Sequence, residues 1–114
     1  MPLSEFEIKR IDKVFNDYCQ NRIPPHLHSQ IVVEFRVRGD EITLFESRPL
    51  WDDHARWISG KIARFKKNAE NQTWSLYWAD RNGYWCQYQQ LPFHRDLEKL
   101  LAEVEKNENG AFWG

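Results

Sequence analysis

The 114-residue sequence predicts an α+β fold, in which a five-stranded antiparallel meander sheet is flanked by N- and C-terminal helices. Apolar residues recur at helical spacing near both ends of the chain and alternate with polar residues between them. Short turn sequences join the alternating segments, and consecutive hairpins favour a meander. Because this length suits one hydrophobic core, we expect a single domain over residues 1–114.

The first helix is predicted to begin at Ser4. Ser4 and Glu7 have the S-x-x-E spacing of a capping box, in which each side chain accepts a hydrogen bond from a free backbone N–H. An apolar stripe follows at spacings of three and four residues, formed by Ile8, Ile11, Phe15 and Tyr18. The pair Pro24-Pro25 ends the helix, because proline cannot donate a helical hydrogen bond.

The first hairpin is predicted from strands over residues 31–38 and 41–47. Apolar and polar residues alternate in both segments, which indicates half-buried strands. Gly39-Asp40 between them suits a type II′ turn with glycine first. This turn places Arg38 opposite Glu41, so charge and apolar pattern agree on one register.

Residues 48–60 have neither period, and we interpret them as an ordered loop or a short helical turn. Strands over residues 61–67 and 72–79 follow, joined by a polar turn. Residues 80–83 fit a type I turn closed by a glycine bulge, which sets Trp78 opposite Cys86 on a fifth strand. A last amphipathic helix after Pro92 completes the order, with Leu97, Leu100, Leu101 and Val104 on its apolar face.

Charge and cysteine content limit the class of protein. Lysine and arginine total 16 against 17 acidic residues, a net charge of -1, so no global field attracts nucleic acid or an anionic membrane. Cys19 and Cys86 are too few for a disulfide framework and read as reduced, buried thiols. There is no apolar run of about 20 residues and no signal sequence at the start. We therefore expect a cytoplasmic protein that does not enter a membrane.

The segment around residue 52 is the first candidate site for a ligand or partner. Its candidate residues are Arg48, Trp51, Asp52, Asp53, His54 and Trp57. Adjacent carboxylates beside a histidine suit proton transfer or metal binding. Asp52 equally suits the N-cap of a short helix that carries His54. The two tryptophans suit anchors for a protein partner or for a second copy, because tryptophan is common at the centre of interfaces.

The polar face of the sheet is the second candidate. Its basic and aromatic residues are Arg36, Arg38, Arg64, Tyr77 and Trp85, with Lys66 or Lys67. Cations interleaved with rings are what single-stranded nucleic acid requires of a binding surface. The alternative is a solvated face, on which Arg38 pairs with Glu41 across the hairpin and the arginines only keep the sheet soluble.

Histidines and cysteines provide weaker candidates for chemistry. In an extended segment His26 and His28 would point to one side, as two ligands of a Zn²⁺ or Ni²⁺ ion, but a site needs three or four. We predict no cofactor and assign no catalytic residue, because the nucleophile, zinc-protease and phosphate-loop motifs are absent from the sequence. The sequence favours a protein without catalytic activity.

Four segments together resemble a known family. They are SEFEIKRI at the start, RPLWDD in the middle, the hairpin YWADRNGYWCQY and the terminal AFWG. In this order they are similar to the small bacterial family named domain of unknown function 3024, over residues 4–114. The tryptophan-rich hairpin and the terminal rings are the most specific part. The resemblance implies no assigned reaction, cofactor or catalytic residue.

The sequence therefore favours a small cytoplasmic binding or adaptor protein that uses residues 48–57 and the nearby sheet surface, with an unknown protein partner or as a homodimer. One alternative is a metal-binding protein or a hydrolytic enzyme built on Asp52, Asp53 and His54. The other is single-stranded nucleic-acid binding through the basic and aromatic sheet face.

Overall fold

The computed structural model describes residues 3–113. The helices are α1 (Glu5–Arg22), a short 3-10 helix (Pro25–Leu27) and α2 (Leu97–Lys106). The strands are β1 (Val32–Arg38), β2 (Glu41–Pro49), β3 (Trp57–Asn68), β4 (Thr73–Ala79), β5 (Trp85–Gln87) and β6 (Phe93–His94). All strand pairs are antiparallel in the order β1-β2-β3-β4-β5, and β6 also pairs with β4. The predicted α+β fold is confirmed, and the two-residue β6 is added to it.

Helix α1 begins where its capping box predicts. The backbone N–H of Glu7 donates to Ser4 Oγ at 3.1 Å, and the N–H of Ser4 donates to Glu7 Oε1 at 3.3 Å. Two donors that lack helical partners are thereby satisfied. The helix ends at Arg22, because Ile23 before the prolines adopts an extended conformation.

Both predicted tight turns form with their predicted registers. Gly39 has a φ of +62°, and Arg38 pairs with Glu41 across the first hairpin. Gly83 has a φ of +83° in the turn before β5, and Trp78 pairs with Cys86. Positive φ is the conformation for which glycine carries no steric cost, so these two glycines determine where the hairpins close.

The hydrophobic core lies between the two helices and one face of the sheet. The Phe15 ring of α1 is 5.4 Å from Phe35 and 5.3 Å from Phe65, centroid to centroid. Helix α2 contributes Leu100, Leu101 and Val104, all buried. The helices thus cover one face of the sheet. Alternate residues of every strand point to the opposite face, which we call the open face.

The C-terminal segment packs against this core. Asn107 adopts a left-handed conformation after α2, and its Oδ1 accepts the backbone N–H groups of Phe112 and Trp113. The Phe112 ring then lies 4.9 Å from that of Tyr88. The guanidinium of Arg22 lies 4.4 Å from the Trp113 ring. The terminal rings therefore connect the C-terminal segment to the end of α1, through Arg22, and to Tyr88 after β5.

The loop expected over residues 48–60 forms, but it is shorter than predicted. Strand β2 continues to Pro49 and β3 begins at Trp57, so the loop is only residues 50–56, closed by a 2.8 Å hydrogen bond from Leu50 N–H to Arg56 O. Residues 51–61 are all exposed, so no buried face imposes an apolar alternation on them. We call residues 48–60 the β2–β3 arm.

A β-bulge interrupts the β2–β3 pairing. Leu44 pairs with Ala63 while Phe45 pairs with Lys61, which leaves Ile62 without a partner in β2. The extra residue changes which alternate positions of β3 face the helices. Lys61 thereby shares the open face with Arg64, although strict alternation would separate them.

None of the helices formed by the described residues is both long enough and apolar enough to span a membrane.

Candidate functional site

The open face of the sheet brings together the basic and aromatic residues singled out in the sequence. Arg36 and Arg38 lie on β1, and their neighbours on β2 are Thr43 and Glu41. Arg64 of β3 is aligned between Thr43 and the Tyr77 of β4. The Arg64 guanidinium lies 4.6 Å from the Trp85 ring, so β5 contributes to the same surface. Lys66 also belongs to it, paired with Glu41 in the β2–β3 register.

Lys67 does not belong to the open face. It pairs with Trp74 in the β3–β4 register, and its Nζ lies 5.3 Å from the Trp74 ring and 3.1 Å from Glu7 Oε2. Burial opposes ionisation of Glu7, but the contacts with Lys67 and Ser4 hold the pKa of that carboxyl below its ordinary value. Lys67 therefore links α1 to the helix-covered face of the sheet.

A groove of about 340 Å³ crosses the open face. It is lined by Arg36, Arg38, Glu41, Thr43, Phe45, Ser59, Gly60, Lys61, Arg64 and Trp85. Four of these side chains are cationic, and Glu41 is the one carboxylate in this set. A protein with a net charge of -1 thus concentrates positive charge in one concave surface.

Rings and cations are already stacked in the groove. Besides Arg64, the Nζ of Lys61 lies 5.5 Å from the Trp85 ring, and the Arg36 guanidinium lies 5.7 Å from the Phe45 ring. Lys61 Nζ also donates to the carbonyl oxygen of Gly83 at 2.8 Å. Cation–π contacts of this length position a charged group without neutralising it.

The ion pair expected between Arg38 and Glu41 is replaced by another arrangement. The two residues are neighbours in register, but the Glu41 carboxylate lies 3.5 Å from Arg64 Nε and 3.9 Å from Lys66 Nζ. Within residues 3–113, no carboxylate lies within 4 Å of a charged nitrogen of Arg36 or Arg38. Two exposed guanidinium groups on β1 are therefore available to an anionic ligand.

Sequence reasoning missed Phe45 and Lys61 as members of this site. Phe45 follows Leu44, and the strand pattern alone indicates its face. The face on which Lys61 lies depends on the bulge at Ile62, and no local sequence pattern predicts that bulge. Only the pairing of β2 with β3 reveals that both residues line the groove.

The acidic segment of the arm does not converge on a catalytic arrangement. Asp53 Oδ1 accepts the N–H of Ala55 at 3.2 Å, and Asp53 O accepts the N–H of Arg56 at 3.0 Å, so Asp53 forms the turn of the loop. The short helix that Asp52 would cap is absent from the described chain, so that expectation is wrong. Asp52 and His54 are exposed at the tip.

The other candidate residues of this segment are dispersed. Arg48 is exposed, and its guanidinium lies 3.6 Å from the Glu46 carboxylate. Trp51 is 88% exposed in the loop, and Trp57 is 44% exposed at the start of β3. The segment therefore presents rings and charges to solvent at the tip of an arm.

The extended geometry expected for His26 and His28 is also wrong. His26 lies in the 3-10 helix, and His28 Nε2 donates to the carbonyl oxygen of Ile23 at 2.9 Å. This hydrogen bond holds the chain after α1. In the part of the chain that the structure describes, no group of three or more His, Cys, Asp or Glu side chains is placed to hold a metal ion.

The two cysteines lie on the helix-covered side. Burial, with a smaller contribution from Glu34, raises the pKa of the Cys19 thiol to about 12. That thiol is protonated at neutral pH and is a poor nucleophile. Cys86 lies opposite Trp78, as predicted, but it is half-buried where a buried thiol was expected.

The open face must be interpreted from its own geometry, since no curated protein and no solved structure matches the chain. A family model does match, over residues 3–114. This match covers nearly the whole chain and confirms the resemblance seen in its tryptophan-rich hairpin and terminal segment. The chain belongs to the family described as Domain of unknown function (DUF3024).

Proposed function

We propose that this protein binds single-stranded nucleic acid along the open face of its sheet. One observation carries the proposal: four cations and two aromatic rings line a single groove that contains one carboxylate, in a chain with a net charge of -1. Phosphate groups require the cations, and bases require flat surfaces on which to stack.

The phosphate contacts are assigned to β1. Arg36 and Arg38 are exposed and two residues apart, so their side chains leave the same face of the strand. Guanidinium groups bind phosphate oxygens through two parallel hydrogen bonds. Since neither group has an ion-pair partner among the described residues, no internal salt bridge has to break.

The base contact is assigned to Arg64 and Trp85. The ring and the guanidinium already lie 4.6 Å apart, which presents a half-buried platform at the β5 side of the groove. Bases stack both on aromatic rings and on guanidinium planes, but only when they are not stacked in a duplex. This requirement favours a single strand over a double helix.

The salt dependence of binding tests this proposal. Fluorescence anisotropy with a labelled oligothymidylate measures the association constant. The logarithm of this constant should fall linearly with the logarithm of the salt concentration. In the variant R36A/R38A, binding should weaken by about 100-fold or more, because each of the two charged hydrogen bonds contributes about 1.5–3 kcal/mol. The magnitude of the slope of this plot should decrease by about 1.4 in R36A/R38A, because each phosphate contact on a single strand contributes about 0.7.

A matched variant, R10A/R95A, removes two arginines from the helix side of the molecule. Both are exposed and line a separate cleft beside α1 and the start of α2. The net charge changes equally in the two variants, so R10A/R95A should bind with the slope of the unmodified protein. If the two variants lose affinity equally, or if the unmodified protein does not bind, the proposal is wrong.

The β2–β3 arm favours a second candidate function, in which two copies of this chain associate. Strand β3 pairs with β4 only from Ala63 onwards, so Trp57 to Lys61 have a strand neighbour on one side. Trp57 and Ile58 are exposed beside that free edge, which is a surface on which a second strand can pair. Native mass spectrometry over a range of concentrations should then show a dimer that I58E abolishes, and a monomer throughout would contradict it.

A cytoplasmic location is part of the proposal. Both cysteines are free thiols, which is the state that the cytoplasm maintains.

A further inference from the structure

The open face continues from the groove onto the β2–β3 arm. Trp57 and Ser59 precede Lys61 at intervals of two residues, so their side chains leave the same face of β3. The hydroxyl groups of Ser59 and Ser47 lie 2.9 Å apart, which confirms this alignment across the two strands. Trp57 itself lines a hollow with Val32, Glu34 and Ser47 of the open face.

We infer that Trp57 is a second stacking platform for the same strand of nucleic acid. The inference rests on the proposed function. Trp57 lies four residues from Lys61, which corresponds to about 13 Å along a strand. Lys61 Nζ lies 5.5 Å from the Trp85 ring, so the first platform lies beside Lys61 and is offset from Trp57 by about this spacing along the direction of β3. A stacked strand advances about 3.4 Å per nucleotide, so the two rings are roughly four nucleotides apart.

The side chains between the two rings suit the backbone of such a strand. Lys61 and the hydroxyl of Ser59 provide donors for phosphate oxygens. Glu34 lies on the β1 side of the Trp57 hollow and repels phosphate. Beyond its contacts with Arg36 and Arg38 on β1, the nucleic-acid backbone is therefore expected to cross to Lys61 and Ser59 of β3, with its bases directed towards Trp57 and Trp85.

A length series of oligothymidylates tests the inference. Lengths of about 4 to 16 nucleotides cover the site sizes known for single-strand binding folds. For the unmodified protein, affinity should rise with length and then level off. In W57A the plateau should begin roughly four nucleotides earlier, and affinity for the longest oligomer should fall on the order of tenfold. Affinity for the shortest oligomers should be unchanged, and W57F should retain most of the lost affinity.

Trp51 provides the matched control. It is 88% exposed in the loop beyond β2, outside the strand alternation that directs Trp57. W51A should keep the length dependence of the unmodified protein, and both variants should keep its thermal unfolding curve.

The two failures are distinguishable. Binding with an identical length dependence in W57A and the unmodified protein would overturn the role of Trp57 alone, as would equal losses in W57A and W51A. If no oligothymidylate binds the unmodified protein, the proposed function fails as well.

Discussion

Replacing Phe15 by alanine is expected to lower the free energy of unfolding by about 3–5 kcal/mol. Phe15 is 0% exposed, and its ring touches those of Phe35 on β1 and Phe65 on β3. The substitution removes the side chain that joins α1 to the sheet and leaves a cavity that the paired strands cannot close. Denaturant unfolding followed by circular dichroism measures this loss.

Phe6 on the same helix provides the control. Its side chain is 79% exposed, so F6A removes the same atoms with almost no change in burial. We expect F6A to change the free energy of unfolding by no more than about 0.5 kcal/mol. Alanine has a higher helix propensity than phenylalanine, so propensity cannot cause a loss in either variant. Equal losses in F6A and F15A would mean that α1 does not pack on the sheet as described.

Replacing Trp85 by alanine is expected to weaken binding of a labelled oligothymidylate by roughly 5- to 150-fold, because stacking contributes about 1–3 kcal/mol per base. The ring also positions Arg64 at 4.6 Å and Lys61 at 5.5 Å, so W85A removes the cation–π contacts of both side chains. Trp85 is only half-buried, so the free energy of unfolding should change less than in F15A.

Tyr84 is the control for Trp85, since it is the adjacent residue and is 70% exposed. Tyr84 immediately precedes β5 and is absent from the residues that line the groove. Y84A should therefore bind like the unmodified protein. A loss in Y84A as large as in W85A would indicate a general disturbance of the hairpin and would contradict the assignment of the platform to Trp85.

The tight hairpins were predictable because local chemistry determines them. Gly39 and Gly83 occupy positive φ positions that other residues adopt at a cost, and the strands beside them have one buried face. A shift of one residue would expose every apolar side chain on that face. The register that sets Trp78 opposite Cys86 could therefore be derived from the turn alone.

The β2–β3 arm could not be predicted in this way. Residues 51–60 of the arm are all exposed, so pairing with the other strand holds it without any alternation in its sequence. The bulge at Ile62 likewise results from how two distant segments align. For the same reason Trp57 appeared to belong to a loop with Asp52, although it lies on a strand whose open face continues into the groove.

For the candidate site, too, local alternation predicts some features and the pairing of strands determines the others. Alternation along β1 and β4 was enough to place Arg36, Arg38 and Tyr77 on one face. Alternation did not show which basic residue would form an ion pair with Glu41, because that residue lies on the neighbouring strand. The carboxylate turns to Arg64 and Lys66 of β3, and this leaves Arg38 without an ion pair among the described residues.

The sequence by itself determined the α+β class, the capped first helix, the two glycine turns and the family, because these depend on short patterns and local backbone preferences. The tertiary structure alone decided that cations and rings from β1, β2, β3 and β5 line one groove, and that the arm extends it. The physical reason is that a sheet surface is assembled across strands. Residues that are neighbours on it, such as Arg36 and Trp85, are distant in sequence, and a single bulge decides which side chains share the surface.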